Sequence, residues 1–117
     1  MENGTRLTKR TASTGVAVAV SHEPQTAFQL MQIVMNFDTA PTTSENVTIT
    51  ATNADSDVYT IYSFDPSAVS GTSYAVLFDQ RFEEDITIGV AYTNTDARNI
   101  VTNVVYQLDE KVRTGDI

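Results

Sequence analysis

The sequence predicts an all-β fold, an antiparallel β-sandwich or jelly roll with about seven or eight strands. Three observations carry this. The apolar residues are mostly Val, Ile, Tyr and Phe with abundant Thr, whose branched or planar side chains suit a pleated, half-buried surface. One segment, Asn46 to Thr52, alternates Val47, Ile49 and Ala51 with Thr48, Thr50 and Thr52, the period of a strand with one wet face. The remaining apolar runs are short and separated by clusters of Asn, Asp, Gly and Pro, the punctuation of a many-stranded fold. At 117 residues the chain has the length of one ordinary domain, enough to bury its own core.

In chain order, residues 1–14 hold Arg6, Lys9 and Arg10 against Glu2, a net of +2. With four Thr and few apolar groups they read as an extended basic arm. Residues 15–110 read as the sandwich and residues 111–117 as a polar tail. Gly15 to Val20 alternates Val with Ala and reads as a strand, ended by His22-Glu23-Pro24. The run Ala27 to Phe37 fits two patterns. Met31, Ile33, Met35 and Phe37 make a strand face, while Leu30, Ile33, Val34 and Phe37 make a helix stripe. The strand is the expectation, because its neighbours are strands and it ends at the turn-forming Asp38-Thr39-Ala40-Pro41.

Asn46 to Thr52 and Val58 to Phe64 flank Asn53 to Asp57 and read as a hairpin. Asp65-Pro66 opens a loop that runs to Ser73 with Gly71 inside it, since Pro cannot donate to a ladder. Tyr74 to Asp79 is a strand, Glu83-Glu84-Asp85 a solvated turn, and Ile86 to Tyr92 a strand with Ile86, Ile88, Val90 and Tyr92 on one face. After the turn Thr93 to Ala97, Ile100 to Leu108 returns with Thr102, Val104, Tyr106 and Leu108 pointing one way.

Charge and composition bound the function. There is no cysteine, so neither a disulfide framework nor a thiolate metal site exists. Residues 15–108 set Arg81 and Arg98 against eleven acids, a net of −9, a body that repels phosphate backbones and anionic membranes. Neither nucleic acid nor a membrane is an expected partner. Val16 to Val20 is too short for a secretory core or a span, so the chain reads as soluble and without an address label.

Chemistry has few carriers, and the expectation is a protein that is not an enzyme and needs no cofactor. His22 is the sole histidine, so any Ser-His-Asp arrangement must use it, and it sits at a strand end beside Glu23-Pro24. Glu83, Glu84 and Asp85 could supply paired carboxylates, but such a trio between apolar strands reads as a solvated turn. Asn53, Asp55 and Asp57 have alternate spacing suited to Ca²⁺, without the glycine and distal glutamate of an EF-hand loop. What remains is surface. Arg6, Lys9 and Arg10 form one expected contact, through the arm. Phe28, Leu30 and Val34 form the other, as the second apolar face of a strand that a lone sandwich would leave wet.

Three stretches, Ala40 to Thr50, Tyr62 to Ser67 and Val90 to Arg98, together resemble small jelly-roll-like structural proteins of tailed bacteriophages. The resemblance covers about residues 27–108 and is one of strand and turn phrases. It implies a virion component of the head-decoration or cement type, a homo-oligomer that binds the major capsid protein or other virion subunits. Two other readings stay open: a tail-fibre or adhesin-type carbohydrate-binding module, and a head–tail joining component.

Overall fold

A computed structural model describes residues 6–108. The eight strands are β1 (Arg6–Thr14), β2 (Val18–His22), β3 (Phe28–Phe37), β4 (Val47–Thr52), β5 (Val58–Phe64), β6 (Ser73–Phe82), β7 (Thr87–Tyr92) and β8 (Asn99–Leu108). A short 3₁₀ turn, Pro66–Ala68, lies between β5 and β6.

Every pairing is antiparallel, and the chain folds like one long hairpin bent at the β4–β5 turn. β4 pairs with β5, β3 with β6, β2 with β7 and β1 with β8. Contacts β3–β8 and β4–β7 then roll this hairpin into two sheets, A in the order β1-β8-β3-β6 and B in the order β2-β7-β4-β5. That wrap is a jelly roll, so the fold class expected from the sequence holds.

The core lies between the sheets and follows the alternation of the strands. Val47, Ile49 and Ala51 of β4, Ile88, Val90 and Tyr92 of β7, and Ile100, Thr102 and Val104 of β8 are all buried. The loops β1–β2, β3–β4, β5–β6 and β7–β8 close one end of the domain. The turns β2–β3, β4–β5 and β6–β7 close the other.

Two expectations are corrected. Residues 6–14 are not a free arm. They form β1, an edge strand that pairs along its whole length with β8; residues 1–5 and 109–117 lie outside the described residues. β1 lacks apolar periodicity because an edge strand needs only backbone partners on one side, and among its residues only Ser13 is buried.

The second correction concerns Ala27 to Phe37. This segment is a strand from Phe28, but its two apolar parities do not mark two apolar faces. Leu30 stands opposite Tyr106 and Gln32 opposite the adjacent Val105, so β3 carries one extra residue, Met31. A bulge of this kind shifts the side-chain phase by one. Phe28 and Leu30 before it, and Ile33, Met35 and Phe37 after it, therefore all enter the same core. Phe28 is 1% exposed and Leu30 0%, so neither is available to a partner. The strand looked two-faced because its register changes within it.

Candidate functional site

The outward face of sheet A gathers residues from four strands into cross-strand rows. One row runs Arg10, Asn103, Val34, Ala75; the next runs Thr8, Val105, Gln32, Leu77. On one side stand Ala12, Val101, Asn36 and Ser73, and on the other Arg6, Gln107, Gln29 and Arg81. Neighbouring residues along β3 and β8 point into the core, and those along β1 and β6 keep the same alternation, which aims these side chains at solvent. Leu77, on edge strand β6, is 75% exposed. These rows contain amides, short apolar groups and arginines but no carboxylate. Asp79, beside the β6 irregularity, accepts a hydrogen bond from Gln29 Nε2, and Arg81 is ion-paired with Glu83 at 2.6 Å.

The structure thus divides the six residues expected to bind a partner. Arg6, Arg10 and Val34 come together on this face. Lys9 points the other way, opposite Val104, and lies near enough to His22 to disfavour its charge. Phe28 and Leu30 belong to the core. The companions of Val34, above all Leu77, Gln32 and Asn103, carry no signal in sequence, because the rows are defined by which strands become neighbours.

A second surface lies on the flank where the two sheets part. The edge strands β5 and β6 leave a cleft of about 250 Å³ lined by Tyr62, Phe64, Val69, Tyr74 and Val76 among others. Tyr62 and Phe64 stand opposite Ile49 and Val47 and so lean towards the interior. Yet Tyr62 is 46% exposed and Tyr59, further along β5, 57%. Tyr74 is buried; its hydroxyl donates to the Gly71 carbonyl and lies 3.3 Å from the Pro66 carbonyl. Burial raises its pKa.

The three phrases that carry the phage resemblance converge at one end of the domain. Asp96 accepts the backbone N–H groups of Thr42 and Thr43 at 2.7 and 2.9 Å and the Thr43 hydroxyl at 2.7 Å. These bonds hold its carboxyl down at about 2. Glu45 takes the N–H and hydroxyl of Thr95, Asp65 takes the hydroxyls of Ser44 and Ser67, and Arg98 Nη2 donates to the Ala40 carbonyl. Hydrogen bonds to Ser44 and Ser67 lower the Asp65 pKa. Beneath them the Tyr92 hydroxyl is pushed up to about 12, by burial first and then by Glu45, Asp96 and Asp65. The polar residues of the phrases are tied to one another, which makes them a loop clasp.

No family model matches the chain, and no curated protein is similar to it. One solved structure that resembles it is the family 32 carbohydrate-binding module of NanJ from C. perfringens, in complex with galactose. Identity is 14%, the TM-score 0.44, and the match covers 84% of this chain and 99% of that one. So distant a likeness carries no function across.

The residues considered for chemistry have structural occupations. The ring of His22 packs on Tyr106 with centroids 4.7 Å apart, and its Nε2 is enclosed without a hydrogen-bond partner among the described residues. Burial, then Lys9, lowers its pKa. Asn53 Oδ1 accepts the N–H groups of Asp55 and Asp57 while Asn53 Nδ2 donates to Asp57, so that turn is closed by its own side chains.

Proposed function

We propose that this chain is a structural subunit of a particle, a virion protein of the head-decoration kind, which holds its neighbours through the outward face of sheet A. The observation that carries the reading is the composition of that face. A chain of net charge −8 sets Arg6 and Arg10, which have no ion pair among the described residues, in a field of amides and half-buried valines beside an exposed leucine, where Asp79 is held by Gln29. Protein contacts favour arginine and deplete acids at their centre, and a sheet face poor in acids accepts an acidic neighbour with little repulsion. The particle itself is supported by the resemblance of the three phrases.

The test is to purify particles from a host that makes this protein and to count it against the shell subunit by quantitative mass spectrometry. The expected result is many copies per particle, falling sharply when Val34→Glu and Leu77→Glu are introduced together. Absence from particles, or incorporation indifferent to those changes, would sink the reading.

A carbohydrate-binding reading has its own observation, the exposed Tyr59 and Tyr62 beside the polar Asn53–Asp57 turn. Aromatic platforms bordered by a few polar groups suit small ligands. Glycan-array binding that disappears in Tyr59→Ala/Tyr62→Ala, with particles lacking the protein, would select it.

A further inference from the structure

Among the described residues, nothing covers the first half of β1 on three sides. It pairs with β8 along one edge only. Arg6, Leu7, Thr8, Lys9 and Arg10 are all exposed, including Leu7 and Lys9 on the inward side, because β1 barely touches β2 across the sandwich. The ledge therefore shows cations on both faces, Arg6 and Arg10 outward and Lys9 inward. None of the three has an ion pair among the described residues.

The acids are placed differently. Apart from Asp79, every described acid lies in a connection between strands. Those of the loop clasp are occupied by hydrogen bonds. At the other end stand Glu23, Asp55, Asp57, Glu83, Glu84 and Asp85; of these Glu83 is paired with Arg81 and Asp57 with Asn53. The ledge begins at this same end, because β1 runs away from it towards the β1–β2 turn.

We infer that the ledge Arg6–Arg10 binds the acidic turn end of a second copy of this chain. This deepens the reading of the chain as a structural subunit. Because ledge and acidic end share one end of the domain, a two-fold arrangement satisfies both contacts at once, each ledge meeting the other copy's acids. The competing contact, β1 pairing edge to edge with β1 about Thr8, would set Arg6 opposite Arg10. Like charges directly opposite disfavour such a pair. Charge complementarity thus selects ledge against acidic end, and sequence Lys and Arg on an open edge also block the wrong pairing.

Sedimentation velocity on the full chain, without any particle, tests this separately from incorporation. Association is expected at about 0.01 M salt and should weaken at least about tenfold by about 1 M, as the screening length falls from about 30 to about 3 Å. Arg6→Glu/Arg10→Glu alone and Glu23→Lys/Glu84→Lys alone should each be monomeric, and their mixture should associate again. All four positions are exposed, so each variant should keep the parent's melting transition. Should one not, Arg6→Gln/Arg10→Gln replaces it and should likewise weaken association. A chain monomeric at every concentration in low salt overturns the inference, as does association indifferent to the reversals or a mixture that stays monomeric. A particle that incorporates a strictly monomeric chain would leave the structural role standing and remove this contact.

Discussion

Asn94 shows how much one side chain can hold in this fold. It is buried, takes a left-handed backbone position (φ 61°), donates through Nδ2 to the carbonyls of Val16 and Arg98, and accepts the Arg98 N–H through Oδ1. One amide thereby ties the β1–β2 connection to the β7–β8 loop. Asn94→Ala strands those groups and keeps a side chain where φ is positive; buried unsatisfied groups cost about 1–3 kcal/mol each. A loss of about 2–3 kcal/mol is expected in denaturant unfolding, most of it retained in Asn94→Gly, which relieves the backbone but not the bonds. His22 gives a pH-dependence whose sign follows from its environment. Burial and Lys9 lower its pKa from 6.5, so the folded state binds this proton less readily than the unfolded one. Its stabilisation is complete above about pH 6.5 and declines as the pH falls through the unfolded and then the folded value. Melting temperatures taken across that range should fall for the parent and fall less for His22→Phe, which keeps a ring against Tyr106.

At the scale of elements, the bulge at Met31 decides where five core side chains go. Deleting Met31 would restore strict alternation and turn either Phe28 and Leu30 or Ile33, Met35 and Phe37 outward. Each such side chain contributes about 1.5–3 kcal/mol by burial, so moving two or three of them removes about 3–9 kcal/mol from a margin of about 5–15. The deletion should leave no cooperative transition or a severely lowered one, while Val34→Thr, on the outward face, should shift stability by only about 0.5 kcal/mol. A deletion variant that melts like the parent would mean the bulge is dispensable. The same bulge explains what was and was not readable beforehand. β4 and β7 were plain in sequence because each keeps an unbroken period of two with its large apolar groups on one parity, whereas β8 was readable as a strand although Val101 and Val105 put apolar groups on its outward parity as well. β3 was readable as a strand but not as a one-faced strand, since a phase shift inside an apolar run imitates two faces. β1 was invisible, because Arg6–Thr14 has no apolar parity and is held by backbone pairing to β8. For the candidate site, the charges of Arg6 and Arg10 and the oddity of Val34 could be seen. Their meeting on one face could not, because β8 stands between β1 and β3 and comes from the far end of the chain.

For the whole molecule, the wrap makes the last strand central and the first strand peripheral. β8 lies between β1 and β3 and places Ile100, Thr102 and Val104 in the core, whereas β1 occupies the sheet edge and buries little beyond Ser13. Removing either strand deletes a similar length of chain, yet the consequences should differ in kind. A chain lacking residues 1–14 keeps both sheets continuous, with β8 as the new edge. It should still unfold cooperatively, at a lower temperature, and it should lose both the self-association and the particle contact assigned to Arg6 and Arg10. A chain lacking residues 99–117 loses the strand that joins β1 to β3 and three central core residues. Closing a sheet from such distant segments also leaves no local pairing to compensate, so this chain should show no cooperative transition at all. Thermal unfolding of the two truncations, followed by circular dichroism, distinguishes these outcomes. If the chain without residues 1–14 were unfolded, β1 would be part of the folding core. The ledge would then be a structural strand first, and its cations could be tested for binding only by substitution.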